Sequence, residues 1–260
     1  MRITGKEKIL KIIRDIRSDI KTVFARDPAA RTTLEVLLSC PGLHALWLHR
    51  IAHRFYARRE YIPARLISHF ARFLTGIEIH PGARLGRGFF IDHGAGVVIG
   101  ETAEAGENCL IYQGVVLGGT STKKEKRHPT LGNNVIVCTG AVILGPVRIG
   151  DNARVGSGAV VVTDIPPGAT AVGIPARVGL GFSGREIEAL EHGKLPDPVS
   201  DAVRYIINGQ EKLESRVKNL ESLEGVISHI DRVMEEKKKD ILAGFCPPGE
   251  GEEYTSGGGI

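Results

Sequence analysis

Between Ile79 and Val178 the apolar positions recur every six residues. Ile79, Leu85, Ile91, Val97, Ala103, Cys109, Val115, Leu131, Val137, Ile143, Ile149, Val155 and Val161 are all small or apolar, and a small residue, often glycine, follows most of them within three places. Ten residues, Ser121 to Thr130, interrupt the run, and the pattern then resumes. A period of six is neither the two of a strand nor the 3.6 of a helix. It is the signature of a hexapeptide parallel β-helix. Each six makes a short flat strand and a turn, and three sixes make a coil. The first position points inward and stacks on its counterparts in neighbouring coils. The glycines give the corners their backbone freedom. The run is long enough for five coils. A Gly-rich β-sandwich is the competing architecture, and so many matches to one period speak against it.

On either side the period changes to that of a helix. Ile9, Ile12, Ile13, Ile16, Ile20, Val23 and Phe24 form an apolar stripe that ends at Arg26-Asp27-Pro28, because the residue before proline avoids helical geometry. A short helix is expected from Thr33 to Cys40, ended by Pro41-Gly42. A third is expected with Leu43, Leu46, Trp47, Ile51 and Phe55 inward. Pro63 opens a fourth through Leu66, Ile67, Phe70 and Leu74. Residues 1–75 are therefore expected as a helical domain that covers the first coil. Residues 76–178 are the β-helix, with a protruding loop at 121–130. Beyond it, Val199, Ile206, Leu213, Leu220, Ile227, Met234 and Ile241 recur every seven residues, so 179–245 reads as a helical extension. That extension fits either a coiled coil between subunits or helices folded back on one subunit. Residues 246–260 have the composition of a flexible acidic tail. The fold class is α+β.

Composition narrows the function. With 34 basic and 30 acidic residues the chain is too balanced to require a nucleic acid or a membrane. Cys40, Cys109, Cys138 and Cys246 show no paired spacing and read as thiols of a cytoplasmic protein. The charged N-terminus has no signal-peptide core, and no apolar run is long enough to span a bilayer. His44, His49 and His53 lie close on the third helix, but no carboxylate or third ligand accompanies them, so no metal site is expected there. The interrupting loop is polar and basic, and long loops on rigid scaffolds tend to carry function.

Two histidines stand out: His93, after Asp92, and His128, in Lys-Arg-His-Pro at the end of the loop. Ile-His-Pro-Gly-Ala, the Asp-His-Gly-X-Gly-Val-Val-Ile-Gly-Glu-Thr run, the Gly-Gly-Thr loop entry and its Arg-His-Pro exit together resemble the serine acetyltransferase family over residues 8 to 178. Arg-Asp-Pro at 26 to 28 also fits that family. The resemblance implies a left-handed β-helix that associates as trimers or dimers of trimers, so that a loop of one subunit reaches its neighbour. It implies acetyl transfer from acetyl-CoA to the hydroxyl of L-serine, without a metal. A serine hydroxyl needs a base to take its proton, and a neutral histidine suits that task. By resemblance His93 is the base, Glu78 stands where the family commonly has the Asp that orients it, and His128 is a second essential group. Arg127 would pair with the serine carboxylate, and Asp27 and Asp92 with its ammonium. Gly119, Thr139, Gly140 and Ser157 would contact the pantetheine arm, and Lys123, Lys124 and Lys126 its phosphates. Cys109, at an inward position, is read as a core residue, which leaves direct attack on acetyl-CoA. L-cysteine is the implied feedback inhibitor, and Ile260 the implied tip that enters O-acetylserine sulfhydrylase. Three alternatives stay open. One is another small hydroxyl acceptor. Another is a zinc β-helix of the γ-carbonic-anhydrase kind using His80, His93 and His128. The third is a non-catalytic scaffold.

Overall fold

A computed structural model describes residues 5–179, 198–224 and 235–241. The tail at 246–260, with Cys246 and Ile260, lies outside them, as do Ile227 and Met234. The chain divides into two compact units, Met1–Pro196 and Asp197–Ile260.

Four helices open the first unit: α1 (Gly5–Arg26), α2 (Thr33–Ser39), α3 (Pro41–Ala57) and α4 (Tyr61–Thr75). Thr32 and Glu35 cap α2 reciprocally, the side chain of each accepting from the other's backbone N–H. Pro41 is the first residue of α3, where its missing N–H costs nothing. Buried Asp19 ties α1 to α3, accepting from Trp47 Nε1 at 2.9 Å and from both terminal nitrogens of Arg50. On α3 Leu43 and Leu46 are buried as expected, but Ile51 is not. Ile51 of α3 is exposed, as are Leu66, Phe70 and Leu74 of α4. The buried positions are Gly42, Leu43, Ala45, Leu46, His49 and Ala52 on α3, and Ala64, Ser68 and Ala71 on α4. Close approach selects the small face. A Cβ on Gly42 would lie 2.2 Å from the Ile91 carbonyl oxygen.

The first coil has β1 (Glu78–Ile79), β2 (Arg84–Leu85) and β3 (Phe90–Ile91), and the second β4 (Val98–Ile99), β5 (Glu104–Ala105) and β6 (Leu110–Ile111). The third has β7 (Val116–Gly118), β8 (Thr130–Leu131) and β9 (Ile136–Val137), and the fourth β10 (Val142–Leu144), β11 (Arg148–Ile149) and β12 (Arg154–Val155). The last turn holds β13 (Val160–Val161), β14 (Thr170–Val172) and the antiparallel β15 (Arg177–Gly179). Strands β1, β4, β7, β10 and β13 stack in parallel as one face, β2, β5, β8 and β11 as a second, and β3, β6, β9, β12 and β14 as a third.

Twelve of the thirteen positions picked out by the period of six are buried; Leu85 is partly exposed. Their register, however, is not uniform. The residues that stack are Ile79, Ile99, Leu117, Ile143 and Val161 on the first face, and Ile91, Ile111, Val137, Val155 and Ala171 on the third. The step from Ile91 to Ile99 is eight residues, not six. Val97, Ala103, Cys109 and Val115 therefore sit two places before the stacking positions, also buried, where they line the corners. The two additional residues fall at the turn that carries His93.

The three outer faces differ in chemistry. Phe90, Leu110 and Ile136 on the third face are packed by Val23, Val36, Leu43 and Trp47 of α1–α3. The second face presents Arg84, Glu104, Thr130 and Arg148 in register. The first presents Val98, Val116, Val142 and Val160, a half-buried apolar column. Helix α4 packs beside it on β1. Ser68 donates to the Ile79 carbonyl at 2.7 Å, while Ile62, Leu66, Phe70 and Phe73 point to solvent.

In the second unit, α5 (Pro198–Glu224) meets the helical segment 235–241. Lys238 Nζ lies 3.0 Å from Glu211 Oε1, and Ile207, Gln210 and Glu214 face Ile241. The described part of the extension thus folds back on itself, leaving Ile206, Leu213 and Leu220 exposed.

Candidate active site

The predicted site residues fall into two groups at opposite edges of the apolar first face. At one edge the chain passes from β3 to β4. There His93 adopts φ 60°, in the left-handed region that a side chain rarely occupies, and Gly94 follows at φ 77°. The turn presents the His93 ring to solvent at the rim of a cleft of about 500 Å³. The cleft is shared by Asp27, Glu35, Cys40, Phe90 and Asp92. Asp27 follows the last turn of α1 and accepts from the Ala29 N–H at 2.8 Å. Burial pushes the Asp92 carboxyl above its ordinary range; His93 opposes this, and the neighbouring charge of Asp27 adds to it. Among the described residues no arginine or lysine lines the cleft, so the three carboxylates of Asp27, Glu35 and Asp92 line a space that suits a small cation.

Above this turn the corner is continued by a column of backbone hydrogen bonds. Gly114 N–H donates to Ala95 O, Gly140 to Gln113 O and Gly158 to Thr139 O, each at 2.8–2.9 Å. Thr139, Gly140 and Ser157 therefore lie along the edge that begins at His93. Nothing stands within 4 Å of the place a Gly140 Cβ would occupy, which leaves an open backbone surface.

At the other edge the loop between β7 and β8 brings in Arg127 and His128, which are absent from the His93 cleft. Register explains their partners. Glu104 pairs with Thr130, so Thr102, two residues earlier, meets His128. The Thr102 hydroxyl accepts from the backbone N–H groups of Arg127 and His128, both at 3.1 Å. Its own proton then goes to His128 Nδ1 at 2.8 Å, which also accepts from the Thr102 N–H at 3.2 Å. With Nδ1 doubly occupied as an acceptor, the ring proton sits on Nε2. Burial, then the Arg127 charge, lowers the His128 pKa and keeps the ring neutral. His128 is thus built as a hydrogen-bond donor through Nε2. Gly100 and Gly119 leave room for the ring: a Cβ on Gly100 would lie 1.9 Å from His128 Cδ2, and one on Gly119 3.0 Å from Nε2. Gly119 therefore belongs to this edge and not to the column of Thr139, Gly140 and Ser157.

Arg127 is engaged by Glu101, whose other oxygen accepts from Tyr56 of α3 at 2.6 Å. Glu101, Thr102 and Tyr56 were not singled out from sequence. The signal lay in the register, which places the Gly-Glu-Thr run beneath the end of the loop. Glu78 stands on the outer face of β1 and pairs with Arg72 at 3.0 Å. It makes no hydrogen bond to His93 among the described residues. Lys126 reaches back to the Thr102 carbonyl at 2.6 Å, so it is drawn to the loop base, not its tip. Cys109 is fully buried, donates to the Gly132 carbonyl at 3.1 Å, and is pushed up to about 11 by burial, so it is no nucleophile. Among the described residues no three His, Cys, Asp or Glu side chains converge as a metal site, and no helix is long and apolar enough to cross a membrane.

Comparison with known proteins settles the family. The serine acetyltransferase N-terminal family matches residues 5–47, and the bacterial transferase hexapeptide family, six repeats, matches 128–163. A serine acetyltransferase of Synechococcus elongatus is 52% identical over 209 residues, 80% of this chain and 85% of its own length. That of Bacillus subtilis is 52% identical over 193 residues, 74% of this chain and 89% of its own length. The chain belongs to the serine acetyltransferase family. Two solved members match the fold. The Neisseria gonorrhoeae serine acetyltransferase in complex with serine has a TM-score of 0.62 at 42% identity and covers 65% of this chain and 69% of that one. The Brucella abortus serine acetyltransferase in complex with coenzyme A has a TM-score of 0.65 at 36% identity and covers 68% and 70%. Membership makes the scaffold the left-handed form of the β-helix and the protein an acyltransferase. It favours neither a zinc centre nor a different hydroxyl acceptor.

Proposed function

We propose that this serine acetyltransferase completes each active site between two copies of the chain, with His93 as general base and the Arg127–His128 pair supplied by a neighbour. The reaction moves acetyl from acetyl-CoA to the hydroxyl of L-serine. The observation that carries the shared site is the placement of its halves. They flank a face whose outward column is Val98, Val116, Val142 and Val160, with exposed Ile62, Leu66, Phe70 and Phe73 beside it. An apolar face of that size on a soluble chain is an association surface. Cyclic packing of three such faces sets the His93 edge of one copy against the His128 edge of the next.

Each residue then has a role that fits its surroundings. The serine ammonium relieves the repulsion between Asp27 and Asp92. The planar fork of Arg127 takes the carboxylate. His93 removes the hydroxyl proton as the oxygen attacks the thioester carbonyl, and the Nε2–H of His128 donates to the oxygen on which charge develops. Glu78 orients His93 by exchanging Arg72 for the imidazole. Acetyl-CoA lies in the groove between copies, along Thr139, Gly140 and Ser157 of one edge and Gly119 of the other. Inhibition by L-cysteine follows as occupation of the serine site by an amino acid of the same shape. Docking of O-acetylserine sulfhydrylase on Ile260 rests on the sequence resemblance alone.

The test is release of CoA from acetyl-CoA in the presence of L-serine, with His93→Ala alongside. Loss of the base is expected to lower turnover roughly 10²–10⁴-fold. Turnover that survives the substitution would remove His93 from the mechanism.

A further inference from the structure

Arg127 stands on a long loop, yet its guanidinium is held on one side by a chain of two further groups. The Tyr56 hydroxyl donates to Glu101 Oε1 at 2.6 Å, and Arg127 Nη2 donates to Glu101 Oε2. The other contact of the guanidinium, Nη1 to the Glu125 carbonyl at 3.5 Å, is at the limit of a hydrogen bond. Glu101 is thus its anchor. A carboxylate with two vacant oxygens accepts a guanidinium in several settings. With Oε1 taken by the phenol, Oε2 is the oxygen left for Arg127. The phenol is itself fixed, edge-on to His80 at 5.6 Å and to Tyr61 at 5.2 Å.

We infer that Tyr56 is a positioning residue for recognition of the acceptor's carboxylate, acting through Glu101 to hold Arg127 in its receptive setting. The inference rests on the reading of Arg127 as the carboxylate partner. The chain is stable across working pH. Glu101 pushes the Tyr56 phenol up to about 12, so it remains a donor. The hydrogen bonds from Tyr56 and then Arg127 hold the Glu101 carboxyl below its usual range, so it remains an acceptor. By this route Tyr56, on α3, sets the reach of a loop that contacts the acceptor. Ordering a long side chain before binding removes part of the entropy that binding otherwise costs.

The experiment compares L-serine with serinamide, which keeps the hydroxyl and the ammonium and lacks the carboxylate. Tyr56→Phe keeps the ring contacts and deletes the donor. The expected result is a KM for serine raised roughly tenfold, the scale of one hydrogen bond to a charged group, with kcat changed little and serinamide kinetics unmoved. The acid limb of the serine kcat/KM profile should also move to higher pH, because Glu101 has lost a donor. Glu101→Gln should erode the same serine-over-serinamide preference, and it serves if the phenylalanine variant folds poorly. A Tyr56→Phe change that weakens both acceptors equally, or neither, overturns the inference. Arg127→Ala separates the two levels. If that variant keeps the preference for serine, the carboxylate reading of Arg127 falls, and the inference with it. If it erases the preference while Tyr56→Phe leaves it intact, only the role of Tyr56 falls.

Discussion

His49 shows how one residue's environment becomes a property of the whole chain. It is 5% exposed on α3, beneath the first coil, and its Nδ1 has no hydrogen-bond partner among the described residues. Burial, then the charges of His53 and Arg50, lowers its pKa to about 3. The unfolded chain takes up a proton below the ordinary value of about 6.5, and the folded chain refuses it until near 3. The contribution is therefore fully present above pH 6.5 and lost as pH falls toward 3. Between pH 7 and 5 this group alone should cost about 2 kcal/mol of stability. Urea unfolding at fixed protein concentration checks it: His49→Gln should lose less stability over that range than the parent chain, and equal losses would refute the assignment. From sequence His49 was one histidine of three on a helix. Its burial follows from Gly42, Ala45 and Ala52 letting α3 approach the coil, a contact that no local pattern announces. His93 and His128 were legible because each sits in a run of several distinctive residues. Glu101 and Tyr56 were not, because their meeting depends on how α3 packs against the β-helix.

Among the elements, the period of six announced the strands and concealed their register. The pattern survived the two-residue expansion at His93 because the place two before each stacking position is also small and apolar, as Val97, Ala103 and Val115 are. A reader of hexads stays on a buried column there, but on the wrong one. The helices stand where their pattern put them, but their periodicity said less about which face is buried: on α3 Leu43 and Leu46 pack inward and Ile51 does not. On α4 the small residues Ala64, Ser68 and Ala71 pack inward, and the large apolar Leu66, Phe70 and Phe73 face out. That inversion is intelligible if the outward face meets another copy. Val116→Lys puts a charge in the middle of the apolar column without touching the inward stack. The expected outcome is a folded chain, by circular dichroism, that sediments as a monomer and has lost at least about 90% of its turnover, since an uncompensated charge at such an interface costs several kcal/mol. A variant that stays oligomeric and active would remove this face from the assembly.

For the molecule as a whole, the proposed sharing of the site between copies makes a prediction that no single chain can satisfy. His93→Ala and His128→Ala should each be inactive alone. Refolded together from denaturant, they should regain a measurable fraction of parental turnover, because some interfaces of a mixed assembly combine an intact His93 with an intact His128. No recovery would mean that each chain builds its own site. The two edges also bear on how such a protein changes over time. At the turn after β3 two residues are added to the repeat, and after β7 a long loop, yet the strands above and below resume in register. A corner of this scaffold can lengthen without disturbing one stacked side chain. Folding is borne by the rungs and, in the proposed site, chemistry by the corners, so selection can rewrite the second while leaving the first unread.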